Sequence, residues 1–185
     1  EDDINKWELY KIGRFSDAVD SDGYFEGVPD GHGGLEPRYS CNIVFSRGEK
    51  VYDAINLIAS LFRGKVFYGN SELNFADDRP RNPVALFTNE TVRDGLFSYS
   101  NNRRDQQFNS VEISYKDRFE AFEPKIEVIE DEEDIRQRGV FKTRIAGVGI
   151  TSRAMARRVA QHHVFESIQE NQNIAFTAGL ESLLC

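Results

Sequence analysis

The residues best suited to chemistry include two adjacent histidines, His162 and His163, followed by Glu166. On a helix, adjacent side chains point about 100° apart, so these two imidazoles are badly placed to share a metal ion. Metal-binding helices place their ligands at positions i and i+4 instead. The pattern favours a structural role, with His163 in a buried stripe and His162 exposed. We expect no metal and no cofactor.

A calcium loop is the second candidate, because Asp20, Asp22 and Gly23 imitate the start of an EF-hand. That loop also needs a bidentate carboxylate six residues after its glycine, to close the coordination shell. Pro29 occupies this position, so the segment is predicted to be an ordinary Asp-Gly turn. The segment GVGIT at 147–151 likewise lacks the order of a nucleophile elbow and the lysine of a phosphate loop.

The third candidate is the acidic run EDEED at 130–134. A glycoside or peptidoglycan hydrolase needs one carboxyl group in an apolar setting with a raised pKa, and a second carboxyl group nearby. A continuous acidic run is more typical of a solvated face or of the start of a helix, where the dipole favours negative charge. We therefore expect no catalytic residue, and we expect that the protein is not an enzyme.

Three arginines fall in the first turns of a predicted long helix, where cations oppose the helix dipole. Their charge should be compensated, either by the acidic run or by a partner chain. The predicted interaction surface consists of Arg153, Arg157 and Arg158 with Glu130, Asp131, Glu132, Glu133 and Asp134.

Four aromatic residues, Trp7, Tyr10, Tyr24 and Phe25, lie close together near the start of the chain. Aromatic faces stack on sugars and also pack in protein interfaces, so these residues are candidates for binding. The alternative is that they only pack their own loop.

Composition sets the class of protein. The chain has 185 residues, of which 39% are hydrophobic and 12% aromatic, which is enough apolar surface for a folded core. A formal net charge of −8 disfavours binding to nucleic acid, so we expect no sequence-specific nucleic-acid partner. No stretch is apolar for long enough to form a membrane segment. Cys41 and Cys185 lack the spacing of a zinc set and are expected to be free thiols.

The predicted fold class is α+β, in three parts. Residues 1–36 form a variable, loop-rich insertion, in which KWELYKIGRF at 6–15 is predicted to be a strand or edge hairpin. Residues 37–83 form a strand-helix-hairpin unit. Its strand is RYSCNIVF at 38–45, its helix follows a capping box at Ser46 to Glu49, and its hairpin turns at 69–71. The helix should bury Val51, Ile55, Ile58, Ala59 and Phe62 and stop at Gly64.

Residues 84–185 are predicted to be a strand-rich, partly barrel-like part with one long helix, after a proline-containing connector at 77–87. Strands are expected near 108–115, 124–130, 140–147 and 173–181, with a short helix before Gly139. Thr151 or Ser152 should cap the long helix. Its buried stripe should contain Ala156, Val159, Ala160, His163, Val164 and Ile168.

Several blocks of sequence are similar to a known family. In order they are LEPRYSCNIVF, YDAINLIASLFRGKVFY, LNFADDRPRNPVALFTNETVRDGLFSYS, RDQQFNSVEISYKD, VIEDEEDIRQRGVFKTRIAGVGITSRAMARRVAQH and IAFTAGLE. Together they resemble the middle of the tip attachment protein J family of lambda-like siphophages. The resemblance spans residues 34–185 and leaves the first 33 residues unmatched.

The resemblance implies a structural component of a phage tail tip, part of the central hub that joins the tail tube to the host-attachment apparatus. It also implies a homotrimer that contacts other tail-tip and tail-tube proteins in the virion, after assembly in the host cytoplasm. The family carries no catalytic motif to transfer. An acidic wall suits a tube that passes DNA without holding it.

Two other functions stay open at this point. One is a receptor- or glycan-binding module of the tail tip, which the four aromatic residues support. The other is a tail-associated cell-wall hydrolase. We also expect a piece of a longer protein, because the chain starts at Glu1 without Met and ends at Cys185 after the apolar LESLL.

Overall fold

The computed structural model describes residues 4–45, 48, 50–69, 71–79, 81–83, 85–101, 107–169 and 172–179. Helices and strands are mixed along the chain, and the predicted α+β class is confirmed. The helices are α1 (Lys6–Ser16), α2 (Val51–Leu61), α3 (Glu132–Arg138) and α4 (Arg153–Gln169). The strands are β1 (Val28–Pro29), β2 (Leu35–Glu36), β3 (Gly64–Gly69), β4 (Glu72–Asp77), β5 (Val92–Asn101), β6 (Ser110–Asp117), β7 (Glu123–Glu130), β8 (Lys142–Ala146) and β9 (Gln172–Ala178).

A three-stranded sheet in the order β7-β6-β8 holds the core. The central strand β6 runs antiparallel to β7 and parallel to β8. Its alternate residues Val111, Ile113 and Tyr115 are buried, as expected for a strand with one face against the core. The predicted strands in this region, and the short helix that ends before Gly139, are confirmed.

The long helix α4 packs across β6 and β7. Met155, Ala156, Ala160 and Val164 are buried on its sheet-facing side, and the two alanines leave room for close approach to the strands. Its predicted cap is confirmed at Ser152, whose Oγ accepts from the Met155 amide at 3.4 Å. Within the described residues, neither α4 nor another helix is long and apolar enough to cross a membrane.

The described strands also form three two-stranded sheets: β1-β2, β3-β4 and β5-β9. The predicted hairpin is confirmed, because Gly69 pairs with Glu72 at its tip, although Asn70 itself lies outside the described residues. In the part of the chain that the structure describes, the sheets do not close into a barrel. The division into three parts at residues 36 and 83 stays a prediction.

The prediction of a strand at 6–15 was wrong, because the segment forms helix α1. Asn5 caps it by accepting from the Glu8 amide at 3.3 Å. Its inward side combines Asn5, Glu8, Ile12 and Phe15, which recur at helical spacing but mix polar and apolar types. A hydrophobicity pattern does not detect such a face.

The prediction of a strand at 38–45 was also wrong, because this segment runs as an irregular loop. Tyr39 and Ile43 pack against the core cluster, and the Asn42 amide donates to the Gly149 carbonyl at 3.0 Å. Gly149 has a φ of +82°, and a Cβ there would lie 2.7 Å from Cγ1 of Ile43. Tyr39 and Ile43 therefore pack against the core without pairing in a sheet, whereas Val44 and Phe45 stay exposed.

Helix α2 differs in detail from its prediction. Ser46 and Glu49, the predicted capping box, lie outside the described residues, and Lys50 occupies the N-cap position. Ala59 is buried as predicted, whereas Val51 is 74% exposed. Leu61, which was not predicted to be buried, is buried. Arg63, rather than Gly64, takes the left-handed conformation after the helix, with a φ of +59°.

Candidate functional site

The first two arginines of α4 share one carboxylate. Arg153 Nε lies 2.9 Å from Glu127 Oε2, and Arg157 Nε lies 3.6 Å from Glu127 Oε1. Glu127 lies on β7, two residues before Ile129, which packs against the core on the α4 side. Strand alternation could have identified this residue from the sequence. The two guanidinium groups stay half exposed, so they remain accessible to a partner.

The third arginine anchors the N-terminal part of the chain. Arg158 Nη2 donates to Glu36 Oε1 at 2.7 Å, and Arg118 Nη2 donates to Glu36 Oε2 at 3.1 Å. Glu36 is only 4% exposed, and two arginines therefore compensate a nearly buried charge. Arg158 also donates to the carbonyls of Pro37 and Arg38. This contact joins strand β2 to helix α4.

The structure places the acidic run elsewhere, mostly at the start of α3. Asp131 caps that helix by accepting from the Glu133 and Asp134 amides at 3.0 and 2.9 Å. Asp134 pairs with Arg138 at 2.6 Å, and Glu130 accepts from the Ser110 hydroxyl at 2.9 Å. Glu132 lies 3.8 Å from Arg136.

The positive charges of the α4 arginines are thus compensated by Glu127 and Glu36. The predicted pairing of these arginines with the acidic run was wrong. The physical reason is that the dipole and free amides of α3 attract those acids locally. The proposal that these arginines and acids form an interaction surface with a partner stays a prediction.

The four aromatic residues near the N-terminus are all more than half exposed. Trp7 and Tyr10 lie three residues apart on α1 and are 68% and 60% exposed. Tyr24 and Phe25 lie in the following loop and are 73% and 52% exposed. Local packing therefore leaves most of their surface free.

An open, mostly apolar groove of about 580 Å³ lies where the loop at 42–44, strand β6 and the loop at 147–151 meet. Tyr115 contributes to its wall, and burial, with the nearby Asp117 carboxylate, raises the pKa of that phenol to about 12. A phenol with so high a pKa is a poor general base near neutral pH.

Three carboxyl groups have a lowered pKa, whereas a general acid requires a raised one. The Arg144 hydrogen bond lowers the pKa of Glu112, and the Arg138 hydrogen bond lowers the pKa of Asp134. Backbone amides of His32 and Gly34 lower the pKa of Asp30. A glycosidase acid needs a raised pKa instead, so these carboxylates do not suit that role.

His162 is more buried than His163, which is the reverse of the prediction. The side chain of His162 is 16% exposed, whereas that of His163 is 38% exposed. His162 Nε2 lies 3.3 Å from Asp78 Oδ2 and 3.4 Å from Glu166 Oε1. Sequence inspection missed Asp78, because it is more than eighty positions away and belongs to the end of the β3-β4 hairpin.

Comparison with known proteins identifies the family. Residues 50–185 match the family model Phage-tail_3, which describes a phage tail protein. The chain belongs to this phage tail family. Its match covers most of the sequence, from the first residues of α2 through the core sheet and α4.

Two curated relatives carry the name tip attachment protein J. The protein from Escherichia phage SECphi27 is 32% identical over 181 residues, which is 98% of this chain and 14% of that relative. The protein from Escherichia phage SECphi4 is 25% identical over 181 residues, which is 97% of this chain and 15% of that relative. The family predicted from the sequence is confirmed, and the matches also include the N-terminal part that had no resemblance. The chain spans about a seventh of the length of these relatives.

Proposed function

We propose that this chain is a non-catalytic, structural segment of a phage tail tip, in the central hub that joins the tail tube to the host-attachment apparatus. The observation that carries the proposal is the match of nearly the whole chain to two proteins named tip attachment protein J. In this proposal the protein resides in the virion tail tip after assembly in the host cytoplasm, and it contacts other tail-tip and tail-tube proteins.

Labelling of virions tests this location directly. Gold-conjugated antibodies raised against the 185-residue chain should bind at the distal end of the tail in electron micrographs. A tail-tube antibody provides the positive control for access to the virion. Label on the capsid or along the whole tube would contradict the proposed location.

A homotrimer is the proposed assembly, and the β5-β9 sheet supports an assembly contact. Leu96 and Tyr99 on β5 are 70% and 62% exposed, and Ile174 on β9 is 52% exposed. An isolated two-stranded sheet is marginally stable in water, so cover from another chain would stabilise it. Exposed apolar and aromatic side chains of this kind are typical of subunit interfaces.

Native mass spectrometry of the chain should show a species of three times the protomer mass of 21.2 kDa. Leu96→Asp should shift the population to monomer, because a charge would be buried in the contact. The matched control is Val44→Asp, since Val44 is 96% exposed and lies outside this sheet. A strict monomer at high concentration would contradict the trimer.

The absence of catalysis is part of the same proposal. Purified peptidoglycan should keep its turbidity when incubated with the chain, whereas a known wall hydrolase should clear it. Clearing by the chain would favour a tail-associated cell-wall hydrolase.

A second candidate function, a receptor- or glycan-binding module, is favoured by the exposure of Trp7, Tyr10, Tyr24 and Phe25. Titration with oligosaccharides from the host cell surface should then change the fluorescence of Trp7, the only tryptophan of the chain. Tyr10→Ala should weaken that response, whereas Tyr68→Ala, at a tyrosine that is 71% exposed on β3, should leave it unchanged. No response to the sugars would remove this candidate.

A further inference from the structure

Three potential metal ligands from two separate parts of the chain, helix α4 and the residue after β4, lie close together. One carboxylate oxygen of Asp78, one imidazole nitrogen of His162 and one carboxylate oxygen of Glu166 all lie within 4.8 Å of one another. Asp78 follows β4, and its amide donates to the Arg63 carbonyl at 3.1 Å, which holds its backbone in place. His162 and Glu166 are one helical turn apart and therefore share a face of α4.

The distances from His162 to the two carboxylates are long for hydrogen bonds but suit ligands of one ion. His162 Nε2 lies 3.3 Å from Asp78 Oδ2 and 3.4 Å from Glu166 Oε1. Hydrogen bonds from N–H to oxygen usually span about 2.7–3.2 Å. Two ligands that bind one tetrahedral zinc ion at ~2.0–2.1 Å are ~3.3–3.4 Å apart. The two separations from His162 therefore match those of ligands on a shared tetrahedral cation, and the two carboxylate oxygens lie within 4.8 Å of each other.

We propose that Asp78, His162 and Glu166 form a binding site for a divalent transition-metal ion such as Zn²⁺. Two carboxylates and a neutral imidazole would compensate the charge of the ion. The three ligands lie in an open pocket of about 510 Å³, which leaves room for water at the fourth position. Glu166 Oε2 lies 3.3 Å from His163 Nδ1, so His163 orients the carboxylate from its other oxygen.

Arg63 competes with the ion. Its Nη1 lies 2.8 Å from His162 Nδ1 and 3.2 Å from Nε2. In the absence of a metal, the guanidinium therefore donates a hydrogen bond to the imidazole nitrogen that carries no proton. An ion on Nε2 requires a proton on Nδ1, and that N–H needs an acceptor, which arginine cannot supply. Metal binding therefore requires Arg63 to move away from His162. Its Nε is buried without a hydrogen-bond partner among the described residues, and a rearranged Arg63 side chain could give that group an acceptor.

The consequence is a metal-dependent contact between the β3-β4 hairpin and α4. Asp78 belongs to the hairpin side, whereas His162 and Glu166 belong to the helix. An ion that binds all three would join these elements in the folded state only, and so would raise the thermal stability of the chain.

Isothermal titration of the chain with ZnCl₂ tests the proposal, with Co²⁺ absorption as a report of coordination geometry. We expect one ion per chain, a tetrahedral Co²⁺ spectrum, and a rise in Tm of about 5 °C at a hundredfold excess over Kd. His162→Asn and Asp78→Asn should each weaken binding at least tenfold. His32→Asn is the matched control, because His32 lies against Phe119 and away from the three ligands.

The variant Arg63→Gln tests the proposal through an expected gain in zinc affinity, so its result does not depend on a loss of binding. A glutamine carbonyl can accept from the Nδ1–H of His162, so this variant should bind Zn²⁺ about tenfold more tightly than the wild type. The absence of binding by the wild-type chain would refute the proposal. Binding that His162→Asn and Asp78→Asn both leave within threefold of wild type would refute it equally.

Discussion

Glu36 offers the sharpest test of how the N-terminal part is attached to the core. The change is Glu36→Gln, which keeps the shape of the side chain and removes its charge. Glu36 is 4% exposed and accepts from Arg158 at 2.7 Å and from Arg118 at 3.1 Å. The variant would leave two guanidinium groups facing a neutral amide.

The magnitude follows from these two contacts. A hydrogen bond between charged groups contributes about 1.5–3 kcal/mol, and a glutamine retains one neutral acceptor. Arg118 is 35% exposed, so water compensates part of its loss. We expect a loss of about 2–3 kcal/mol in the free energy of unfolding. For a chain of this size that corresponds to a fall in Tm of about 4–12 °C.

Urea unfolding at neutral pH measures this loss, and hydrogen exchange of the amides at 28–38 shows where it occurs. Glu26→Gln is the matched control, because Glu26 is exposed and should change stability by less than about 0.5 kcal/mol. A double-mutant cycle with Arg158→Gln should give a coupling energy above about 1 kcal/mol. If Glu36→Gln behaved like the control, the argument that these charges hold β2 against α4 would be refuted.

Three further outcomes are expected. Met155→Ala should cost about 2–5 kcal/mol in urea unfolding, because Met155 is 1% exposed in the core, whereas Met155→Leu should cost less than about 1.5 kcal/mol. Tyr115 should titrate near pH 12 in ultraviolet absorption, and Tyr115→Phe should remove that step. Because the pKa is raised in the folded state, its stabilising contribution is present below about pH 10 and disappears as the pH rises through 12. Asp134→Asn should destabilise the protein by about 1–2 kcal/mol at neutral pH. The Arg138 hydrogen bond lowers the pKa of Asp134, so this difference should shrink as the pH falls from the ordinary value of 3.8 through the folded value. A constant difference across that range would contradict the assignment.

The family and much of the core could be predicted from the sequence by itself. From Val111 to Lys116, strand β6 alternates between more buried and more exposed positions, and the order of the sequence blocks was enough to indicate a phage tail protein. The long helix was predictable from its small and apolar residues and from Ser152, because capping and spacing are local properties. Local rules also gave the hairpin around 69–71 and the helix end at Gly139.

Only the tertiary structure decided which charges meet. Glu36 and Arg158 are 122 positions apart, and Asp78 and His162 are 84 positions apart, so no spacing rule connects them. The sequence predicts that the acidic run pairs with the arginines of α4, but Asp131 caps α3 and Asp134 pairs with Arg138 on that same helix. Helix α1 was hidden because its inward face mixes Asn5 and Glu8 with Ile12. Side-chain pairing across a fold depends on how elements pack, and a one-dimensional pattern does not contain that information.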